Sequence, residues 1–288
     1  MSETAGDTAN EMHDGTSGGA NGSAGARGAS GACAGAGRAP RVAVVTGGGA
    51  GIGREAARAL ADDGWLVLVS GRTAATLEGT CDRPGIRTHV ADVTDEEQVE
   101  GLFDVASAWA AQEGGRLGLA VVNAGSSGAT GEFGDIAADD FRAAVEVNLV
   151  GAFLTARAAF RRMRDQEPSG GRILVNGSIA AQVPRPNSAP YAASKAGLNG
   201  LTDVISLDGR AHGITCGQVD FGNAATALLG GFGATTGALQ ADGSRRVEPS
   251  FPATEAGRAI AYMASLPDGA VVDRMTVTAA GMPFVGRG

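Results

Sequence analysis

The stretch that decides the fold is RVAVVTGGGAGIG, residues 41–53. Its first six residues form a Val-rich run typical of a buried strand, and apolar residues after the glycines recur at helix spacing. Glycines between a strand and a helix allow positive φ angles and a close approach of the backbone to a ligand. The helix N-terminus then offers free N–H groups to an anion, so the turn predicts a pyrophosphate site. Its candidate residues are Gly47, Gly49, Gly51, Ile52 and Gly53.

Outward from this turn, short Val-rich runs alternate with longer helical patterns. Strands are predicted over 41–46, 65–70, 86–91, 117–122, 172–176, 214–219 and 274–278. Helices are predicted over 51–63, 136–165, 189–210 and 254–265, and one more is opened by Thr94 with Glu97 completing a capping box. Strict alternation implies a parallel sheet covered by helices on both faces. We therefore predict an α/β fold, a Rossmann-type doubly wound parallel sheet of about seven strands in a single domain over 41–288.

Residues 1–40 have a different composition. Half of them are Gly or Ala, and Met1 and Met12 are the only large apolar residues. Such a segment cannot bury enough surface to offset its ordering entropy. We predict a disordered tail.

Charge and composition argue against several classes of partner. The formal net charge is -8, whereas nucleic acids and anionic membranes attract basic proteins. No apolar run approaches the roughly 18 residues of a membrane span, and the N-terminus lacks the features of a signal peptide. We expect a cytoplasmic protein that binds neither nucleic acid nor membrane. No metal site or disulfide framework is expected from the scattered Cys33, Cys81, Cys216, His13, His89 and His212.

The end of the second strand is the position that reads the cofactor ribose. An NAD site usually has an acidic residue there, but this chain reads Ser70-Gly71-Arg72. An arginine that follows uncharged residues can bind a 2′-phosphate, so NADP(H) is favoured over NAD(H). Ala50 adds no second basic residue within the glycine turn.

The segment YAASK, residues 191–195, places Tyr191 and Lys195 four positions apart on one helix face. A tyrosine pKa near 10 must fall to about 7 for base catalysis, which takes roughly 4 kcal/mol. A fixed ammonium at about 4 Å supplies an effect of that size. The pair can therefore make tyrosine an acid/base catalyst.

Other polar residues follow the strands at the expected ligand side of the sheet. Ser178 comes just after the fifth strand, and Asn123-Ala124-Gly125 comes directly after the fourth. Asn148 interrupts a helical stretch, where a buried amide must find a hydrogen-bond partner.

These motifs in this order resemble the short-chain dehydrogenase/reductase family over about residues 41–285, in its subgroup acting on alcohols and carbonyls. The motifs are TGGGAGIG at 46–53, DV at 92–93, NAG at 123–125, Asn148, Ser178 and YAASK at 191–195. The resemblance implies that Tyr191 is the general acid/base and that Lys195 lowers its pKa and holds the nicotinamide ribose.

The resemblance also implies roles for the remaining candidates. Ser178 would orient the substrate oxygen, and Asn148 would anchor a water that relays protons toward Lys195. Cofactor contacts would come from Asp92 and Val93 at the adenine, from Asn123, Ala124 and Gly125 along the cleft, and from Gly222 and Thr226 near the nicotinamide. A homodimer or homotetramer with a small alcohol or carbonyl substrate is implied as well.

One departure concerns the nicotinamide end. The family usually has a Pro-Gly pair after the sixth strand, whereas this chain reads Phe221-Gly222. Residues 227–251, rich in Gly, Ala and Thr, are predicted to form a mobile flap over the substrate.

The leading hypothesis is an NADP(H)-preferring carbonyl reductase or alcohol dehydrogenase. An epimerase or dehydratase of the same fold is one alternative, and it would turn over substrate without consuming external NADP(H). A cofactor-sensing regulator is another, and it would bind NADP(H) tightly without turnover.

Overall fold

A computed structural model describes residues 39–230 and 237–284. Apart from residues 39 and 40, the predicted tail lies outside the described residues. So do residues 231–236 of the predicted flap.

The core of the fold is a seven-stranded sheet in which every neighbouring pair is parallel. The strands are Arg41–Thr46 (β1), Leu66–Gly71 (β2), Ile86–Val90 (β3), Arg116–Val122 (β4), Gly171–Asn176 (β5), Ile214–Phe221 (β6) and Arg274–Val277 (β7). Their spatial order is β7-β6-β5-β4-β1-β2-β3. After β3 the chain crosses to the other side of β1 to form β4, so the direction in which strands are added reverses between β1 and β4. This change leaves the crevice in which such folds bind ligands. The predicted fold class is confirmed.

Helices cover both faces of this sheet. They are Gly51–Asp62 (α1), Ala74–Glu78 (α2), Glu96–Gln112 (α3), Ala138–Val145 (α4), Gly151–Asp165 (α5), Ala189–Gly209 (α6), Ala227–Gly230 (α7) and Ala253–Ser265 (α8). One buried apolar cluster joins α3, α5 and α6 to the sheet, and another joins α1 and α8 to its opposite face. Because the central strands are buried on both sides, they are continuous runs of Val, Leu, Ile and Ala rather than alternating patterns.

The helix predicted over 136–165 is a continuous helical span with a π-helical segment, Glu146–Val150, between α4 and α5. By length and composition, the span Ala138–Asp165 could cross a membrane, with a mean hydropathy of 1.3 in its most apolar window. The sequence alone predicts no membrane-spanning stretch. The helix packs on α3, α6 and the sheet, and 44% of that window is buried inside the fold. Core helices of globular domains share this composition.

The predicted capping box at Thr94 is wrong by one residue. The N-cap of α3 is Asp95, whose side chain accepts a hydrogen bond from the backbone N–H of Gln98, and the Gln98 amide bonds Asp95 in return. The Thr94 hydroxyl instead donates to Asp92 at 2.9 Å. Both positions have a capping residue followed three places later by Glu or Gln. The competing bond to Asp92 decides between them.

The described part of the predicted flap contains regular structure. Beyond α7, Ala238–Leu239 pairs with Arg245–Arg246 as a short hairpin, and Phe251–Pro252 pairs with Ala224–Ala225 beside the sheet. The backbone N–H of Phe251 donates to the Asn223 carbonyl oxygen at 2.9 Å, which ties the end of the segment to the end of β6.

Candidate active site

The glycine turn after β1 has the geometry of an anion cradle. Gly47 and Gly51 have φ angles of +65° and +52°, in the left-handed region. A Cβ on Gly53 would lie 2.3 Å from the Gly47 carbonyl oxygen, so only glycine lets the turn close on α1. The N-cap residue of α1, Ala50, makes no side-chain capping bond. The first N–H groups of α1 are therefore left for a ligand. These features fit the pyrophosphate of a dinucleotide.

Asn123 fixes this turn to the neighbouring strands. Its side-chain amide donates to the Thr46 carbonyl oxygen at 2.8 Å, and its Oδ1 accepts from Asn176 at 2.7 Å. The Thr46 hydroxyl accepts from the backbone N–H groups of Asn123 and Ala124 and donates to the Val121 carbonyl oxygen. The turn is thus connected through Asn123 to the ends of both β4 and β5.

Tyr191 and Lys195 lie on the first two turns of α6, and Ser178 lies just after β5. Tyr191 and Ser178 are hydrogen-bonded to each other. The Lys195 Nζ donates to the Asn176 carbonyl oxygen at 2.8 Å and lies 5.9 Å from the centre of the Tyr191 ring. The three side chains are buried and line one cavity, so the sequence motif becomes a single site.

The pKa values of the pair differ from the sequence prediction. The pKa of Tyr191 lies above its ordinary value, chiefly because the side chain is buried. A hydrogen bond with Ser178 and the charge of Arg185 lower this pKa, whereas Asp220 raises it. The prediction from the sequence was that the ammonium of Lys195 lowers the pKa of Tyr191. Burial also lowers the pKa of Lys195 itself, to about 8, and its ammonium is directed at the Asn176 carbonyl oxygen.

Asn148 lies within the π-helical segment and is fully hydrogen-bonded, as expected for a buried amide. Its Oδ1 accepts from the Ser126 backbone N–H at 2.8 Å, and its Nδ2 donates to the Ser126 carbonyl oxygen and to the Ser194 hydroxyl, each at 3.0 Å. A Cβ on Gly125 would lie 3.1 Å from that Oδ1. Asn148 therefore joins the loop after β4 to α6 next to Lys195.

A cavity of about 270 Å³ runs from the glycine turn to Tyr191. The predicted residues in its lining are Gly47, Gly51, Ile52, Gly53, Asn123, Ala124, Gly125, Ser178, Tyr191, Lys195, Gly222 and Thr226. A Cβ on Gly51 would lie 3.2 Å from the Thr226 side chain, so Thr226 stands beside the turn.

Five predicted residues lie outside this lining: Gly49, Arg72, Asp92, Val93 and Asn148. Gly49 faces α2, and Arg72 is exposed immediately after β2. Asp92 accepts bonds from Thr94, while Val93 is buried against Gly151. The candidates for the adenosine half therefore lie beyond the cavity, past the ends of β2 and β3.

Sequence reasoning missed two charged residues near the cavity. Arg185 lines it from the loop between Ser178 and Tyr191, and the buried Asp220 lies near the end of β6. The signal for Arg185 was its place in the short segment between the predicted site residues Ser178 and Tyr191. For Asp220 the signal was a charged residue inside an otherwise apolar strand.

At the departure from the family pattern, Phe221 is the last residue of β6 and pairs in register with Val277 of β7. Its buried ring lies 6.4 Å from the ring of Phe251 and lines the cavity. Gly222 follows, and its N–H donates to the Val277 carbonyl oxygen. The strand therefore continues through the position at which the family has proline.

A family model described as short chain dehydrogenase matches residues 41–236. The chain belongs to this family. As a short-chain dehydrogenase, it is an oxidoreductase that acts on hydroxyl or carbonyl groups with a nicotinamide cofactor.

Several curated relatives of this dehydrogenase are similar over most of its length. It is 34% identical to a cis-4-hydroxycyclohexanecarboxylate dehydrogenase from Sinomonas cyclohexanicum over 79% of this chain and 90% of that protein. A sulfoacetaldehyde reductase 2 from Chromohalobacter salexigens is 30% identical over 82% and 93%. A 3beta-hydroxysteroid dehydrogenase from Mediterraneibacter gnavus is 32% identical over 62% and 64%. The crystal structure of levodione reductase has the same fold, with a TM-score of 0.72 and 24% identity over 84% of this chain and 96% of that one.

Proposed function

We propose that the chain is an NADP(H)-preferring reductase or dehydrogenase that interconverts a secondary alcohol and a ketone. The observation that carries this proposal is that Ser178, Tyr191 and Lys195 share one cavity with the glycine turn. Two of the relatives are named for small oxygenated substrates, a hydroxycyclohexanecarboxylate and sulfoacetaldehyde.

In the proposed mechanism, Tyr191 gives its phenolic proton to the substrate oxygen during reduction and takes it back during oxidation. Ser178 donates a hydrogen bond to the same oxygen and polarises the carbonyl group. Lys195, with a pKa of about 8, is mostly protonated at neutral pH and presents a positive charge beside Tyr191. The nicotinamide, when bound, supplies or accepts the hydride.

The cofactor would be held along the crevice at the ends of the strands. The glycine turn and the start of α1 would take the pyrophosphate, and Lys195 the nicotinamide ribose. Asn123, Ala124, Gly125, Gly222 and Thr226 would line the cleft between them, with Asp92 and Val93 on the adenine side.

Two arginines lie near the glycine turn, and the preference for NADP(H) rests on one of them. Arg54 bonds Thr80, Thr76 and the Gly49 carbonyl oxygen, so its guanidinium is occupied within the turn. Arg72 is exposed after β2, where the chain reads Ser70-Gly71-Arg72 without the acidic residue that is usual in NAD sites. Arg72 is therefore the candidate that reads the 2′-phosphate.

Calorimetry with NADPH and NADH on the wild type, Arg72→Ala and the control Arg83→Ala tests this proposal. Arg83 is partly exposed and pairs with Asp62 and Asp82. We expect Arg72→Ala to lose NADPH affinity by about 10- to 100-fold while NADH binding and the control stay near wild type. Equal binding of both nucleotides by the wild type would overturn the cofactor preference. Failure to oxidise or reduce any member of an alcohol and ketone panel would overturn the reaction.

We also propose a homodimer or homotetramer. Phe153 on α5 and Val204 and Leu207 on α6 are 45%, 53% and 57% exposed. Large apolar side chains on adjacent helices mark an interface when they are exposed together. Light scattering should give two or four times the chain mass of 28.5 kDa, and Leu207→Glu should lower it.

A cytoplasmic location is part of the proposal. Among the described residues, Cys81 is exposed and Cys216 buried, and both are free thiols. Free thiols are typical of a reducing compartment. In the same part of the chain, no cluster of three or more His, Cys, Asp or Glu residues is placed to hold a metal ion.

A further inference from the structure

Arg185 lines the substrate end of the cavity. It lies in the loop between Ser178 and α6, its side chain is only 16% exposed, and its charge lowers the pKa of Tyr191. Arg185 and Tyr191 therefore line the same cavity, so a substrate bound there lies between both side chains.

The surroundings hold this guanidinium in place before any ligand arrives. Its Nη2 donates to the Asn223 Oδ1 at 2.9 Å and to Glu248, whose side chain is only 2% exposed. Asn223 in turn donates to Glu248 at 2.9 Å. The loop backbone is fixed by the Ser188 hydroxyl, which donates to the Arg185 carbonyl oxygen at 2.6 Å. A preorganised cation loses little entropy when it binds a ligand.

Part of the hydrogen-bonding capacity of Arg185 is unused. Its Nε is buried and makes no hydrogen bond with any residue of 39–230 or 237–284. A buried donor without an acceptor is costly, and a guanidinium group forms its strongest bonds with oxyanions. The protein therefore leaves part of the hydrogen-bonding capacity of this guanidinium unsatisfied.

The charges that face the cavity are all positive. In its lining among the described residues, the charged side chains are Arg185 and Lys195. Asp220 and Glu248 are not part of this lining. Lys195 is assigned to the cofactor ribose, so Arg185 is the cation that remains for the substrate. The same lining contains the apolar residues Ile179, Val183 and Leu228.

We propose that Arg185 binds an anionic group of the substrate, a carboxylate or a sulfonate, so that the enzyme acts on oxo acids and hydroxy acids. The anionic group is separated from the reacting carbon by an apolar spacer that lies against the apolar wall. This inference rests on the proposed function for the reacting carbon, and it adds the substrate class and the residue that selects it.

The experiment compares 4-oxocyclohexanecarboxylate with its methyl ester, which differs mainly in charge. The ratio of kcat/KM for the acid to that for the ester is measured in the wild type, Arg185→Met, Arg185→Lys and the control Arg246→Ala, an exposed arginine of the hairpin. Taking the ratio cancels any effect of Arg185 on the pKa of Tyr191. We expect the wild type to prefer the acid by about 10- to 100-fold, Arg185→Met to lose that preference, and Arg185→Lys to keep part of it. Equal use of acid and ester by the wild type overturns the proposal, as does an unchanged ratio in Arg185→Met.

Two further measurements keep the test decisive. The double variant Arg185→Met/Glu248→Gln removes both charges of the buried ion pair, so no carboxylate is left unpaired. It replaces Arg185→Met if thermal unfolding shows that Arg185→Met does not fold. Binding of cyclohexanecarboxylate, which cannot react, is measured by calorimetry and should weaken by about 10-fold or more in the variants. This binding reports on Arg185 even if no ketone is reduced, in which case the proposed reaction alone has failed. Wild-type binding no tighter than that of neutral methylcyclohexane contradicts the role of Arg185.

Discussion

The side-chain amide of Gln218 donates a hydrogen bond to the Oδ1 of Asp220 at 2.7 Å, and both residues are buried in β6. Gln182 donates to the other carboxylate oxygen at 2.8 Å. From behind the cavity, Asp220 acts electrostatically on Tyr191 and Lys195. It raises the pKa of both Tyr191 and Lys195.

Asp220→Asn should therefore move the pH dependence of catalysis. Without the negative charge, the pKa of Tyr191 falls, so the phenolate needed for alcohol oxidation forms at lower pH. The rising limb of log kcat/KM for oxidation against pH should shift to lower pH. The control Asp104→Asn, at an exposed position of α3, should leave the profile in place. A limb that stays put, or moves up, contradicts the assigned influence of Asp220.

Tyr191→Phe should remove the proton donor and leave the cofactor site intact. Loss of a general acid/base typically costs about 10²- to 10⁴-fold in rate. Turnover should fall by that factor, whereas nucleotide affinity by calorimetry should stay near wild type. Tyr262→Phe is a matched control, since Tyr262 is the only other tyrosine of the chain and is 56% exposed on α8. Equal activity in both variants would assign the proton transfer to another group.

Most of the sheet could be predicted because its strands are buried on both faces. An apolar run such as WLVLVS or RILVNGS is stable mainly as a central strand that is covered on both faces. The alternation of such runs with helices then determines the parallel topology. The boundaries were less accurate, since β2 begins at Leu66 rather than Trp65 and β6 continues to Phe221. The point at which a strand ends depends on its pairing with the neighbouring strands. The apolar pattern of one segment contains no information about that pairing.

The site could be predicted where its residues are close in sequence, as in YAASK and the glycine turn. The interactions of Arg185 could not, because Glu248 is 63 positions away and the two meet only through the segment that follows β6. The π-helical segment around Asn148 was equally hidden. A one-residue widening of a helix leaves the apolar pattern almost unchanged, so it shows only through the hydrogen bonds that Asn148 makes.

Asn148→Ala should destabilise the protein and lower its activity together. It removes the three hydrogen bonds of a buried amide and leaves the partly buried Ser126 backbone groups without this partner. A loss of about 2–4 kcal/mol in the free energy of unfolding is expected, since each unsatisfied buried group costs roughly 1–3 kcal/mol. Urea unfolding measures it. Ser194→Ala removes only one of the partners and should cost less. A loss as large as that of Asn148→Ala would mean that the Ser126 bonds contribute little.

Lys195 is the only lysine in the 288-residue chain, so its ionisation can be observed directly. Protein labelled with ¹³Cε-lysine gives one side-chain signal. We expect its chemical shift to titrate with a midpoint near pH 8, because burial lowers the pKa from its ordinary value of 10.5. In Asp220→Asn the midpoint should fall further, since the favourable negative charge is gone. A midpoint near 10.5 in the folded wild type would show that the amine is hydrated rather than buried.

The same titration fixes how Lys195 affects stability. Between about pH 8 and 10.5 the unfolded chain keeps the lysine protonated while the folded chain releases the proton. The unfolded state binds more protons in that window, so the contribution of Lys195 to folding becomes more favourable as pH rises through it. Lys195→Met has no such dependence. Its free energy of unfolding relative to wild type should therefore be highest near pH 7 and fall by about 3 kcal/mol by pH 11. Urea unfolding at several pH values measures this difference, in which the titrations of other groups cancel. A relative stability that is flat across the window, or one that rises, contradicts the buried ammonium.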